Sequence, residues 1–405
     1  MEQEIHPSVF GAEALMETYS DNIILFGPDA LAQLGEELFL SDRKTILLVM
    51  GGASARIPLR MILGSPVFRK PGLNMPHHEN VPPEPDTECV RVIVRTMERE
   101  QPDAVLAVGG GSVMDAAKAA YLSWQTGLDI DDLFGVNVAS TRFPERKFQR
   151  ICAMPTTAGT GSEVTPYSNI IDARTGVKKL LMDPVIIPEA AAVIPELTLT
   201  APEKLTRETG FDALVHSIES FLNFKAMAAH PEAEPLAPEA IRLIVHALPA
   251  ALRNPGDSEA RTRLSAAATL AGMAIRTSPT SLPHLLSYSF CGKASHGDAV
   301  AALLPHFWRF YLAEPEVRER TMRLAPFFPG DTPEEVIDSF CTFLRSCGGE
   351  TDPGRLAQTG AEMIDKLAED ALLNPVKLTG APRSVTPENC RAVFHEVLDP
   401  VWMRS

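Results

Sequence analysis

Within RETGFDALVHSIESF, residues 207–221, Asp212 and His216 stand four apart. On a helix that spacing stacks two side chains on one face, and here the neighbours on that face are apolar. A carboxylate and an imidazole placed so either satisfy each other in the core or hold something between them. Downstream, TSLPHLLSYSFCGKASHGDAVAALLPH adds His284 and His296, twelve apart, the second directly before a glycine. One carboxylate and three imidazoles suit Fe(II), Zn or a similar divalent ion. Taken singly, each has a plainer reading. Asp-x-x-x-His on a helix is commonly a structural hydrogen bond, and His-Gly is a common helix entry. Glu219 lies on roughly the face of His216 and reads as a supporting group at the core edge. His306 has a packing context, and His77, His78, His230, His246 and His395 have no convergent partners in the sequence.

Three glycine-bearing turns could hold a phosphate-containing ligand. VGGGSVMDAAK sets Gly109, Gly110, Gly111 and Ser112 between a strand pattern and a helix pattern. Backbone amides there can approach a diphosphate, helped by the helix N-terminus; the plainer reading is a tight turn that needs positive φ at a glycine. PTTAGTGSEVT is dense in hydroxyls, Thr156, Thr157, Thr160 and Ser162 among them, able to bond phosphate, ribose or a carboxamide, or to cap a helix. In VMGGASAR, Gly51, Gly52, Ser54 and Arg56 follow the first long strand, with no carboxylate between Val49 and Arg60. An acidic residue in such a turn commonly binds the ribose 2′-hydroxyl of NAD. Its absence leaves room for a 2′-phosphate.

The elements that must position these residues change character along the chain. KTILLVMGG, DAVLAVGGGS and QRICAMPTTAGTGSE are apolar runs that end in turns, and ECVRVIVRTMERE and VMDAAKAAYLSW between them read as helices. Continuous apolar strands alternating with helices predict a parallel sheet covered on both faces. After about Leu199 helical periodicity takes over, in LTRETGFDALVHSIESFL, APEAIRLIVHALPAALR, ARTRLSAAATLAGMAI and TPEEVIDSFCTFLRSC. The chain therefore reads as an α/β domain over 1–198 and an all-α domain over 199–405.

Bulk properties narrow the class. A net charge of −15 over 405 residues argues against nucleic acid or an anionic membrane surface as partner. No run reaches the length of a membrane-spanning helix, and the N-terminus lacks the pattern of a signal peptide. Six cysteines without a CxxC pair read as reduced thiols of a cytoplasmic protein.

AVGGGSVMDAAK, PTTAGTGSEVT, TGFDALVHSIES and SHGDAVAALLPH occur in the order and spacing of the iron-containing (group III) alcohol dehydrogenases, and LLNPVKLT extends the likeness toward the C-terminus. The resemblance covers roughly residues 20–400. It implies an N-terminal dinucleotide-binding domain, a helical domain and a metal in the cleft between them. It puts the metal ligands on Asp212, His216, His284 and His296, and the pyrophosphate loop on Gly110, Gly111 and Ser112, with Asp115 just inside the helix. Nicotinamide and ribose contacts fall on Thr156, Thr157, Thr160, Ser162 and Lys178. The turn with Gly51, Gly52 and Ser54 resembles that of NADP-preferring members, with NAD possible.

Departures from the family pattern gather near the expected site. Tyr288 stands where many members have a histidine, and Glu84 where many have a cofactor-contacting asparagine. The loop from His284 to His296 is shorter, and Pro279 and Pro283 should interrupt the helix start before His284. The expected activity is hydride transfer between NAD(P)H and a small alcohol or aldehyde, the metal polarising the substrate oxygen. Tyr288 is the first residue to test as a proton carrier. A homo-oligomer, a dimer, is expected. The alternatives are a metal-free reductase or polyol-phosphate dehydrogenase on the same fold, or a catalytically silent metal-stabilised protein.

Overall fold

The computed structural model describes residues 9–39, 44–52, 55–358 and 362–402. These fall into two compact units, Glu13–Thr200 and the residues from Ala201 onward together with those up to Ala12. In the first unit the strands are β1 (Ile23–Phe26), β2 (Ile46–Met50), β3 (His77–His78), β4 (Ala104–Gly109), β5 (Gly135–Val136), β6 (Arg150–Pro155), β7 (Tyr167–Ile171), β8 (Lys178–Met182) and β9 (Ala190–Val193). Six of them form one sheet in the order β1-β9-β6-β4-β2-β3, parallel throughout.

Alternation along the central strands explains the sheet. Leu47, Val49, Val105, Ala107, Ile151 and Ala153 pack on one face against the helices Thr87–Glu100 and Gly111–Thr126. Ile46, Leu48, Met50, Leu106, Val108, Cys152 and Met154 pack on the other, against Leu34, Ile62 and Phe68. With both faces covered, every position of β2 and β4 is buried, which is why these strands read as unbroken apolar runs. The Thr87–Glu100 helix begins where Asp86 Oδ1 accepts from the Cys89 amide at 2.8 Å, an N-cap.

A second, smaller sheet, β5-β8-β7, has no counterpart in the sequence reading. Its antiparallel pair β7–β8 closes through the turn 172–177, where Asp172 accepts from the Arg174 amide at 2.9 Å and Gly176 takes φ +71°.

The second unit is helical. Glu203–Leu222, Leu236–Arg253, Ser258–Thr277 and His296–Tyr311 pack on one another. From Gly210 to Leu222 every residue of the first is buried, so over that stretch the helix runs through the core and has no solvent face. A Cβ on Gly210 would come within 2.6 Å of Leu248, so glycine lets the Leu236–Arg253 helix approach closely. The chain leaves helix at Ser278 and resumes at Leu282, with Pro283 in the first turn of Leu282–Ser287. There its missing N–H costs nothing, and the interruption expected from Pro279 and Pro283 is found. None of the six cysteines forms a disulfide, and no helix among the described residues is long and apolar enough to cross a membrane.

Candidate active site

The buried Glu203–Leu222 helix puts Asp212, His216 and Glu219 on successive turns of its core-facing side. Leu282–Ser287 adds His284. The His296–Tyr311 helix starts at His296, and a Cβ on Gly297 would overlap the Glu208 carbonyl. Only glycine allows that helix to dock there, one turn before Asp212. The His-Gly pair is thus a packing device that delivers His296.

Three imidazole Nε2 atoms converge on one carboxylate oxygen. His284 and His296 each come to 3.4 Å from Asp212 Oδ1, and His216 to 3.6 Å. Candidate ligand atoms of Asp212, His284 and His296 all lie within 4.8 Å of one another, and His216 joins through Asp212. The His216 and His284 rings stack at 4.5 Å. These separations are long for hydrogen bonds. They match the edge of a tetrahedron of ligands about 2.1 Å from a central ion, roughly 3.4 Å. Asp212 Oδ1 and His284 Nε2 are buried without a hydrogen-bond partner, as polar atoms seldom are unless another ligand completes them. The donor set and its orphaned atoms fit a divalent metal.

The outer nitrogens of His284 and His296 are held, while His216 Nδ1 is buried without a hydrogen-bond partner. Glu219 Oε2 takes His284 Nδ1, while its Oε1 accepts from the Ser281 amide at 2.7 Å and the Ser281 hydroxyl at 2.9 Å. Ser287 Oγ lies 3.0 Å from His296 Nδ1. A carboxylate behind a histidine fixes its tautomer and turns its other nitrogen inward. Glu219, read from sequence as a core-edge group, is buried and is the direct support of His284.

Electrostatics follow from this geometry. Burial alone would raise the Asp212 carboxyl, but His216, His296 and His284 hold it below its ordinary value. Burial pushes His216 down to about 4, only partly opposed by Asp212, so its imidazole is neutral and its lone pair available. Burial disfavours charge on Glu219 and His284 alike, yet each sustains the other: the carboxyl lies below its ordinary range and the imidazole above. Tyr288 stacks 6.4 Å from the His296 ring.

In the sheet unit the three turns follow β2, β4 and β6, which are neighbours in the sheet. Their carboxyl ends are where ligands of open α/β sheets gather. Gly109, Gly110 and Gly111 do not have positive φ, contrary to the plainer sequence reading. Close approach explains them instead. A Cβ on Gly111 would lie 2.6 Å from Thr160 Cγ2, and one on Gly110 3.1 Å from Thr157 Oγ1. The hydroxyl loop thus sits on the glycine turn, and the Thr156 amide donates to the Gly109 carbonyl at 3.0 Å.

The remaining sequence candidates divide. Ser112 Oγ accepts from the Glu84 amide at 3.1 Å, and Lys178 Nζ pairs with Glu84 Oε1 at 2.9 Å. Glu84 takes φ +51° to do both. Asp115 accepts from the Ser162 hydroxyl and the Asn169 amide, each at 3.0 Å. Lys118, not singled out in the sequence, donates to the Ser162 carbonyl, Ser162 Oγ (3.0 Å), the Thr165 carbonyl (2.8 Å) and the Tyr167 carbonyl (3.2 Å). Burial lowers that ammonium to about 8, with Asp115 and Glu163 opposing the fall. Asp115, Lys118 and Ser162 therefore brace the hydroxyl loop against the helix. Gly51 and Gly52 lie past the end of β2, where the Gly52 carbonyl accepts from Ala55; Ser54 lies outside the described residues.

Comparison with known proteins agrees over nearly the whole length. The family model described as "Iron-containing alcohol dehydrogenase" matches residues 21–195, and "Fe-containing alcohol dehydrogenase family, C-terminal" matches 206–398. The NADPH-dependent butanol dehydrogenase of Clostridium saccharobutylicum is 32% identical over 387 residues, covering 92% of this chain and 95% of that protein. The iron-containing alcohol dehydrogenase of Thermococcus thioreducens superposes with a TM-score of 0.81 at 25% identity, covering 94% of this chain and 99% of that one. A sulfoacetaldehyde reductase from Bifidobacterium kashiwanohense, solved with NAD+, gives 0.77 at 25% identity, covering 94% and 97%. With its parallel-sheet unit, its helical unit and matches to both halves of the family model, the chain belongs to the iron-containing alcohol dehydrogenases, enzymes that use a nicotinamide cofactor and a metal.

Proposed function

We propose that the chain is an NADPH-preferring aldehyde reductase and alcohol dehydrogenase for small substrates, with Asp212, His216, His284 and His296 holding Fe(II) or Zn. The observation that carries this reading is the convergence of three Nε2 atoms on one partnerless carboxylate oxygen. A metal-free reductase would leave Asp212 Oδ1 and His284 Nε2 buried and unsatisfied. Bound there, the ion supplies Lewis-acid polarisation of the substrate oxygen, and the nicotinamide supplies or accepts the hydride.

The protein's own part is positioning and charge. One carboxylate among neutral imidazoles contributes a single negative charge, which leaves a divalent ion electrophilic. Glu219 and Ser287 fix the rings of His284 and His296. The Tyr288 hydroxyl carries a proton to or from the substrate oxygen, its ring stacked 6.4 Å from that of His296. On the cofactor side, amides of Gly110, Gly111 and Ser112 bind the pyrophosphate. Thr156, Thr157 and Thr160 meet the nicotinamide end, and Lys178 meets a ribose. Asp115 and Ser162 act there through the loop they brace. Gly51, Gly52 and Ser54, with Arg56 and no nearby carboxylate, receive the 2′-phosphate. The relatives' names run from butanol to sulfoacetaldehyde, so membership of the family leaves the substrate class open.

Metal-analysed protein assayed with short aldehydes tests the reading. We expect one divalent ion per chain and kcat/KM at least about tenfold higher with NADPH than NADH, equivalent to ~1.4 kcal/mol. His284→Ala should lose most of the metal and most turnover while staying folded. Full metal and normal turnover in that variant overturn the ligand assignment, and equal use of both cofactors overturns the phosphate role of the 51–56 turn.

A further inference from the structure

Next to the convergent histidines lies a cation held only by hydroxyls. Lys377 comes from the short helix Pro375–Thr379 and is half-buried. Its Nζ donates to Thr280 Oγ1 at 3.0 Å and to Tyr288 Oη at 3.4 Å, and it lies 5.5 Å from the Tyr288 ring centroid. The next ring, His296, is 6.4 Å further and nearly parallel. Two ring-sized steps thus separate the ammonium from the candidate metal pocket.

Of the unit's other lysines, Lys204 faces Glu208 and Lys366 faces Asp370, while Lys225 lies over the Phe224 ring and Lys293 donates to Met363 Sδ; Lys377 differs in standing against Tyr288, the ring next to His296. Among the described residues Lys377 has no carboxylate partner. Neutral hydroxyls hold an ammonium in place without cancelling its charge, and two of them leave one of its three N–H groups to spare. In a chain of net charge −15, such a cation beside a substrate pocket is a specific attractor for anions.

We infer that Lys377, with Thr280, receives an anionic terminus of the substrate, so that the enzyme acts on short aldehydes carrying a carboxylate or sulfonate at the far end from the carbonyl. This rests on the proposed reading of the metal pocket, which receives the carbonyl end. The anion sets which molecule binds and in which direction, and takes no part in the bonds that change.

The test compares 4-oxobutanoate with butanal, substrates that differ chiefly in the terminal charge, on metal-loaded wild type, Lys377→Met and Lys377→Arg. Wild type should favour the anion in kcat/KM. Lys377→Met should lower that ratio at least tenfold, Lys377→Arg should restore most of it, and 3-oxopropanesulfonate should behave as the carboxylate does. Independently of turnover, 4-hydroxybutanoate should raise the melting temperature of wild type more than butan-1-ol does, and the difference should vanish in Lys377→Met. An unchanged ratio, with both substrates falling together, would make Lys377 a positioning residue for Tyr288 and overturn the inference. If neither aldehyde is reduced, the proposed function fails by itself, and the melting arm still decides the anion site.

Discussion

In the helical unit, Asp212 Oδ1 and His284 Nε2 are buried without a hydrogen-bond partner. In the sheet unit, Lys118 meets four oxygens from a single loop, and Asp115 is engaged at both carboxylate oxygens. Both places bury charge, and the difference lies in what completes it. The first is a cluster whose inner carboxylate oxygen and His284 Nε2 lack partners within the chain, while Glu219 and Ser287 hold the outer nitrogens of His284 and His296. The second is complete within the chain, and what it leaves available is backbone: amides of a glycine turn and a hydroxyl loop fixed above it. On the proposed function, a cation site is built by withholding partners, and a nucleotide cradle by using side chains to shape main chain.

Glu219 is where the contrast breaks most sharply. Glu219→Gln keeps the size and an acceptor but removes the charge behind His284, and should weaken metal affinity about 10- to 100-fold. Competition with a chelator measures this, and an unchanged affinity would mean that the cluster needs no charged support. In the other region, Lys118→Met leaves the Thr165 and Tyr167 carbonyls without this donor and Asp115 without a close countercharge. Loss of a buried, hydrogen-bonded cation should destabilise the protein by roughly 3 kcal/mol, read from urea unfolding, with metal content untouched. A loss of metal as well would show that the two regions are not independent.

The smallest effect sharpens the same point with pH. Asp172 is buried and bonded by the Arg174 side chain, Lys179 and the Arg174 amide, which hold its carboxyl below the ordinary range. A carboxyl depressed by folding contributes stability that is full above its unfolded pKa of about 4 and is lost as pH falls toward the folded value. Asp172→Asn should therefore flatten the decline of the melting temperature below about pH 4 and lower it slightly at pH 7. A decline as steep as in wild type would show that other carboxylates govern it.

Much of the fold was legible because local patterns and tertiary roles agree. β2, β4 and β6 read as buried strands, since neighbours on both sides demand apolar residues at every position. The β7–β8 pair was missed: YSNII and KKLLM mix polar with apolar residues, and only the DARTG turn between them carried a signal. The four polar residues of the cluster were legible as types and spacing. The depth of Glu219 was not, because a helix buried on all sides has no solvent face to set its phase. Lys118 and Lys377 were missed for another reason. Their partners are 44 or more residues away for the first and 89 or more for the second, and nothing local marks a lysine that will be enclosed. The glycine turn was legible in place but not in cause.

That cause ties together two distant stretches of the chain. Because Gly111 faces the methyl of Thr160 and Gly110 the hydroxyl of Thr157, each glycine and its threonine share one volume. Neither member of a pair can drift alone: a side chain gained at 111 demands atoms given up at 160. The glycine turn and the hydroxyl loop, about fifty residues apart in the chain, are therefore one unit of packing here.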